Sequence, residues 1–210
     1  MLNLGSCLSC YCLFIGVLIA EDPLPQKSVW CLGDSLTAGY GVAPKQAYPA
    51  LLEQRCKENN HRVSVFNAGQ SGSTTASAME RYLWLKRSRE LPDILLLALG
   101  ANDGLRGQST VQAKANLSQV ILKAQGDGVQ VLLAGMQIPS NYGQNYAKSF
   151  KKLFTDLAAE HKITFIPFLL EGIALDPKFN LPDGIHPNAK GHIKIAATVY
   201  KHLEPLLQDE

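Results

Sequence analysis

Short apolar runs alternate along the chain with longer segments in which apolar and polar residues recur at helical spacing. The apolar runs are continuous or rich in β-branched residues, which is typical of strands buried on both faces of a parallel sheet. The predicted strands are 28–33, 62–67, 93–99, 129–138 and 162–168. The amphipathic segments predict helices at about 47–60, 74–91, 110–126, 144–161 and 188–208.

This alternation predicts the fold class. Strands that alternate with helices form an α/β fold, here a three-layer α/β/α sandwich with a five-stranded parallel sheet. Right-handed crossovers leave few topologies, and we expect the flavodoxin-like strand order 2-1-3-4-5. Sheets of this kind bind ligands beyond the carboxyl ends of their strands, where the strand order reverses. We therefore expect the candidate chemistry in the loops that follow the strands.

The first 20 residues differ from the rest because they contain no Asp, Glu, Lys or Arg. Their apolar run, residues 7–20, is shorter than the ~20 residues that a membrane-spanning helix needs. It predicts a signal peptide at 1–20, followed by a polar spacer at 21–27 and one domain at 28–210. The protein is then expected in the periplasm or outside the cell. An uncleaved N-terminal anchor is the alternative, because no Lys or Arg precedes the apolar run.

Composition and charge narrow the function classes. The chain is 46% hydrophobic and 18% charged, as is usual for a globular domain. Its net charge is +2 and its basic residues are scattered, so we expect no nucleic-acid partner. The sequence has no Cys-x-x-Cys pair beyond residue 20 and no His-Glu-x-x-His motif, so it predicts no zinc site. Cys31 and Cys56 are expected to be buried free thiols rather than a disulfide.

Residues suited to acyl transfer follow four of the predicted strands. Ser35 follows the first strand, Gly72 the second, Asn102 the third, and Asp183 and His186 follow the fifth after a loop. Acyl transfer needs a nucleophile, a base that an acid holds in one tautomer, and donors for the oxyanion. Ser35 can be the nucleophile and His186 the base, with Asp183 as its acid three residues earlier. The backbone N–H groups of Ser35 and Gly72 and the side-chain amide of Asn102 can be the oxyanion donors.

Each of these residues also has a simpler interpretation. Ser35 fits a helix N-cap, Gly72 a turn, and Asn102 a helix cap or an Asx turn. Asp183 and the glycine that follows it are typical of a turn, and His186 fits an exposed helix start. Their joint occurrence favours catalysis, because suitable residue types fall in four loops at one edge of the predicted sheet.

Four motifs resemble the four blocks of the GDSL or SGNH hydrolases. They are GDSLTAGYG (33–41), AGQSGSTT (68–75), GANDGLRG (100–107) and DGIHPNAKGH (183–192). The resemblance covers about residues 28–205, the body of the predicted hydrolase domain, and is closest to the branch of acyl-CoA thioesterase I, lysophospholipase and arylesterase. It implies that Ser35, Asp183 and His186 are catalytic and that Ser35, Gly72 and Asn102 form the oxyanion hole. It also implies that the enzyme uses no metal and no organic cofactor.

The loops beside the expected site carry apolar residues that could line a groove for an acyl chain or an aromatic ester. These candidates are Leu105, Met136, Ile138, Tyr142 and Ile185. For Met136 and Ile138, ordinary core packing is an equal alternative.

The apolar loop residues favour a small-molecule acyl ester or thioester as substrate, with transient contact with lipid surfaces. A carbohydrate O-deacetylase that uses the same triad is one alternative, and a non-catalytic binding module on the same fold is another. We expect a monomer.

Overall fold

The computed structural model describes residues 27–208, and at its centre lies a five-stranded parallel sheet in the order β2-β1-β3-β4-β5. The strands are β1 (Lys27–Gly33), β2 (Val63–Gly69), β3 (Ile94–Ala98), β4 (Gln130–Ala134) and β5 (Thr164–Ile166). The α-helices are α1 (Ser35–Ala38), α2 (Tyr48–Glu58), α3 (Ala78–Ser88), α4 (Ala101–Leu105), α5 (Thr110–Gly126), α6 (Gln144–His161) and α7 (Ala189–Leu207). Short 3₁₀ turns lie at Pro44–Gln46, Thr75–Ser77 and Ser140–Tyr142.

Helices cover both faces of the sheet, which confirms the predicted sandwich. The observed pairing of the strands confirms the predicted order 2-1-3-4-5. On one face α2 packs against α7, and on the other α5 packs against α3 and α6. β1 and β3 lie side by side although β2 separates them in the chain. The strand order therefore reverses between β1 and β3, where folds of this type place their ligands.

Burial varies across the sheet. All five residues of β3 are buried, as predicted for a strand covered on both faces. The same prediction is wrong for β2, none of whose residues is fully buried. The reason is its position, because β2 is an edge strand with a neighbour on one side only. Part of its cover comes from the Arg89 guanidinium, which lies 3.7 Å from the centre of the Phe66 ring.

Element boundaries differ from the predictions where the chain leaves the sheet. The predicted strand at 129–138 ends at Ala134, because the chain turns at Gly135, where any side chain would collide with the backbone of Pro167. The periodicity predicts neither α1 nor α4, since four or five residues are too few to show a helical period. Cys31 and Cys56 are buried and free, as predicted.

The predicted signal peptide at 1–20 and residues 21–26 of the predicted spacer lie outside the described residues. β1 begins at Lys27, the last residue of the predicted spacer. Between residues 27 and 208 the structure contains no helix long and apolar enough to cross a membrane.

Candidate active site

Ser35 lies at the turn where β1 ends and α1 begins. Asp34 caps this helix, and its Oδ1 accepts the N–H of Leu36 at 3.0 Å. Ser35 is the first residue of the helix, so its own N–H has no acceptor within the helix and is available to a ligand. Gly33 is required here for space, since a side chain at this position would collide with that of Thr37.

The structure brings Ser35, His186 and Asp183 into one hydrogen-bonded chain. The Nε2 atom of His186 lies 3.0 Å from the Ser35 hydroxyl oxygen, and its Nδ1 lies 2.8 Å from Asp183 Oδ2. Asp183 Oδ1 accepts the backbone N–H groups of His186 at 2.9 Å and Ile185 at 3.0 Å. Chiefly through the His186 N–H, these contacts lower the pKa of Asp183 to about 2. Asp183 is therefore an anion at neutral pH and can orient the imidazole.

The other two predicted oxyanion donors lie in loops that are linked to each other. Asn102 lines the same cavity as Ser35 and His186, and its Nδ2 donates one hydrogen bond to the Ser73 carbonyl at 3.0 Å. The second hydrogen of this amide remains for a ligand. Gly72 has a φ of 78°, which favours glycine, and its carbonyl accepts Arg106 Nη2 at 3.1 Å. The loops after β2 and β3 are thus joined at the positions where the donors were predicted.

A buried network that was not predicted lies behind these two loops. The Asp103 carboxylate, 2% exposed, accepts the Thr75 N–H at 2.9 Å and the Thr75 hydroxyl at 2.6 Å. Asn116 of α5 donates to that hydroxyl at 3.0 Å. The network fixes the loop after β2 relative to the start of α4, which carries Asn102.

A second set of long-range contacts holds the nucleophile turn. From α3, Arg81 donates to the Gly33 carbonyl at 2.9 Å and also to the Ala68 carbonyl, and so joins the ends of β1 and β2. Asp34 lies in the same region and is fully buried. Burial raises the pKa of Asp34 to about 6, against the opposing effects of the Leu36 N–H and of the charges on His186 and Arg81.

An apolar groove of about 300 Å³ opens beside Ser35 and His186. Four of the predicted substrate residues line it, namely Leu105, Met136, Ile138 and Ile185. Met136 is 1% exposed and Ile138 also packs on the core, so both proposed roles apply to these residues. Tyr142 does not line the groove; it lies half-exposed on a neighbouring 3₁₀ turn.

The groove has a further wall that the sequence analysis missed. It is formed by Phe168, Leu170, Ala174 and Leu175. These residues follow β5 at the carboxyl edge of the sheet, where the rule used for the other loops would have placed them. Phe168 falls within the predicted strand 162–168, and the other three residues resemble core residues because no polar motif stands beside them. Within residues 27–208, no group of three or more His, Cys, Asp or Glu side chains could hold a metal ion.

The chain is similar to known proteins over most of its length. The profile of the GDSL-like Lipase/Acylhydrolase family matches residues 31–193. Esterase TesA of Pseudomonas aeruginosa is 35% identical over 191 residues, which cover 91% of this chain and 94% of that protein. Thioesterase 1/protease 1/lysophospholipase L1 of Escherichia coli K12 is 35% identical over 194 residues, which cover 92% of this chain and 91% of that protein.

A solved structure extends the similarity to the fold. The crystal structure of TesA superposes with a TM-score of 0.82 at 35% identity, covering 86% of this chain and 99% of that one. These matches confirm the resemblance that rested on four sequence blocks. The chain therefore belongs to the GDSL-like lipase/acylhydrolase family and is a carboxylic ester hydrolase.

Proposed function

We propose that the protein hydrolyses carboxylic esters and thioesters of apolar acyl groups through an acyl-Ser35 intermediate. The observation that carries this proposal is the hydrogen-bonded chain from Ser35 through His186 to Asp183, placed at the mouth of an apolar groove. These three hydrogen-bonded residues supply a nucleophile and its base, and the groove supplies a place for the acyl group.

The reaction has two halves that use the same groups. In the first, His186 Nε2 takes the hydroxyl proton as Ser35 Oγ bonds to the substrate carbonyl carbon. The bond to the leaving group then breaks, and His186 gives its proton to the leaving oxygen or sulfur. In the second half, His186 takes a proton from water as the water oxygen bonds to the acyl carbon. The bond between that carbon and Ser35 Oγ then breaks, His186 returns the proton to Oγ, and the carboxylic acid is released. Asp183 stabilises the imidazolium that forms in each half.

The negative charge on the carbonyl oxygen needs hydrogen-bond donors that are already in place. We assign this role to the N–H groups of Ser35 and Gly72 and to the free hydrogen of the Asn102 amide. The position of Ser35 at the start of α1 supports the assignment, because its N–H has no acceptor within the helix. The hydrogen bond from Asn102 to the Ser73 carbonyl supports it too, because this bond holds the amide in place. Arg106, bonded to the Gly72 carbonyl, would keep that peptide in one orientation during the reaction.

The substrate class follows from the groove lining. Its walls are mostly apolar side chains, which suits a fatty acyl group better than the polar ring of an acetylated sugar. The relatives described above are named an esterase and a thioesterase/lysophospholipase, which agrees with acyl ester and thioester substrates. Leu175 and Ile185, 62% and 42% exposed at the groove, would favour brief contact with lipid aggregates.

We also propose that the protein is exported. Export rests on the uncharged apolar segment at 1–20. Expression of the whole chain in a bacterium, followed by fractionation and N-terminal sequencing, tests it. Cleaved protein in the periplasm or medium supports export, and full-length protein in the cytosol contradicts it.

Hydrolysis by purified variants tests the catalytic proposal. We expect Ser35→Ala and His186→Ala each to lower kcat for a short-chain ester and for its thioester by about 10⁴- to 10⁶-fold. The matched control is Ser149→Ala, which removes an exposed hydroxyl on α6 and should leave kcat unchanged. Substantial turnover by folded Ser35→Ala protein would show that another group is the nucleophile.

A further inference from the structure

An exposed aromatic ring lies against the candidate base. Tyr40 is 53% exposed, and the centre of its ring is 4.5 Å from the centre of the His186 imidazole, with 40° between the planes. Tyr40 does not line the apolar groove, although His186 does. The imidazole therefore contacts two different surfaces, the groove and the tyrosine ring.

The backbone holds Tyr40 in a fixed position relative to the nucleophile. Its N–H donates to the Ser35 carbonyl at 3.1 Å, immediately after the single turn of α1. It lies between Gly39 and Gly41, with φ angles of 80° and 77° that favour glycine. At both glycines a side chain would collide with a neighbour, Ala47 or Leu181. An exposed side chain placed this tightly is suited to contact a ligand.

The chemistry of ester cleavage indicates which part of the ligand would lie there. His186 must deliver a proton to the leaving oxygen, so this oxygen has to come within hydrogen-bond reach of Nε2. Any substituent on the leaving oxygen then lies beside the imidazole. The groove accommodates the acyl half of the substrate, which leaves the surface formed by Tyr40 for the other half.

We propose that Tyr40 is a specificity-determining residue that binds the leaving group and makes the enzyme favour aryl esters over alkyl esters. This inference rests on the proposed function, because a leaving group exists only if Ser35 and His186 act as described. A phenol ring can stack on Tyr40 in an offset or edge-to-face arrangement, which an alkyl alcohol cannot do. Tyrosine has few rotatable bonds, so little side-chain freedom is lost when it binds.

The test compares two esters that share an acetyl group and differ in the leaving group. One is an aryl acetate, and the other is an alkyl acetate whose alcohol is fluorinated until its acidity equals that of the phenol. Both form the same acyl-Ser35, so the ratio of their kcat/KM values reports binding of the leaving group before and during acylation. The variants are Tyr40→Leu and Tyr40→Phe. Trp84→Leu is the control, because it removes a ring of similar exposure on α3 that does not line the groove.

We expect Tyr40→Leu to lower the aryl-to-alkyl ratio of kcat/KM about three- to tenfold. Tyr40→Phe and Trp84→Leu should keep the wild-type ratio. Thermal unfolding and labelling of Ser35 by a fluorophosphonate verify that Tyr40→Leu is folded. If Tyr40→Leu slows both esters equally, or slows neither, the inference is overturned, and an equal loss assigns Tyr40 to positioning His186. If wild-type protein hydrolyses neither ester, the proposed function fails as well.

Discussion

The two sides of the active site are held in place by different kinds of contact. On the nucleophile side, which includes the oxyanion loops, buried groups from distant parts of the chain hold the loops in place. Examples are Arg81, which donates to the Gly33 carbonyl, and Asp103, which accepts from Thr75. On the base side, His186 is held by Asp183 only three residues earlier, through its ring and its own N–H. These two side chains are 20% and 38% exposed. The nucleophile side thus depends on the fold, whereas the base side depends on one local turn.

This difference separates effects on chemistry from effects on folding. A change on the base side removes few buried contacts, so it should impair catalysis while the protein stays folded. A change on the nucleophile side leaves buried polar groups without partners, so it should also lower the free energy of unfolding. Substitutions on the two sides therefore test the comparison directly.

Among substitutions that separate chemistry from folding, the largest effect is expected for Asp183 on the base side. Asp183→Asn should lower kcat for a short-chain ester by about 10³- to 10⁴-fold, because an amide no longer fixes the reactive tautomer or stabilises the imidazolium. The melting temperature should change little. Steady-state kinetics and thermal unfolding are measured on the same preparation. The control is Asp156→Asn on α6, a partly exposed carboxylate that also pairs with a side chain close in sequence. A variant that unfolds, or that retains most of its kcat, would remove the distinction between the two sides.

A large loss of stability is expected when the buried network behind the oxyanion loops is broken. Asp103→Ala removes the buried acceptor of two Thr75 hydrogen bonds and should lower the free energy of unfolding by about 3 kcal/mol. The reason is that the Thr75 N–H and hydroxyl lose a partner away from solvent. Urea unfolding measures the change, with Asp183→Asn as the reference for the base side. Equal stability losses in the two variants would show that both sides are held alike.

These contacts also explain how far the sequence could predict the site. The pair Asp183 and His186 was predictable, since a separation of three residues brings an acid to its base in a local turn. The contacts of Asp103 with Thr75 and of Arg81 with Gly33 join residues 28 and 48 positions apart. No local pattern reveals contacts at such separations. The alternation of strands and helices predicted the sheet and its order, because that signal repeats along the whole chain.

The groove shows a second limit of the sequence. Leu105 and Ile185 were predicted because they stand next to polar motif residues. The wall formed by Phe168, Leu170, Ala174 and Leu175 was not predicted, since apolar residues in a loop resemble core residues until the fold shows which cavity they line. Tyr142 was expected at the groove but lies outside its lining, because its place in the chain does not show which way its turn directs the side chain.

The smallest of these effects concerns the pH dependence of stability on the nucleophile side. Because burial raises the pKa of Asp34 to about 6 from 3.8, the folded protein binds this proton more tightly than the unfolded chain. Stability of the wild type should therefore fall as pH rises through the window between these two values. The loss should be on the order of 2–3 kcal/mol and remain constant above the window.

Asp34→Asn removes this titration. The free energy of unfolding of the wild type relative to Asp34→Asn should decline between about pH 4 and pH 6 and then level off. Urea unfolding at several pH values, in one buffer system, gives both curves. Parallel curves would mean that Asp34 does not carry the expected proton.

The central claim is that Ser35 becomes acylated with the help of His186 and Asp183, and covalent labelling tests it most directly. The wild-type protein is treated with a fluorophosphonate, digested and mapped by mass spectrometry, while esterase activity is followed in the same sample. We predict one phosphonyl group per chain, located on the peptide that contains Ser35, and activity that is lost in proportion to labelling. Ser35→Ala should take up no label. Full labelling at another residue, or full activity in protein labelled at Ser35, would contradict the claim.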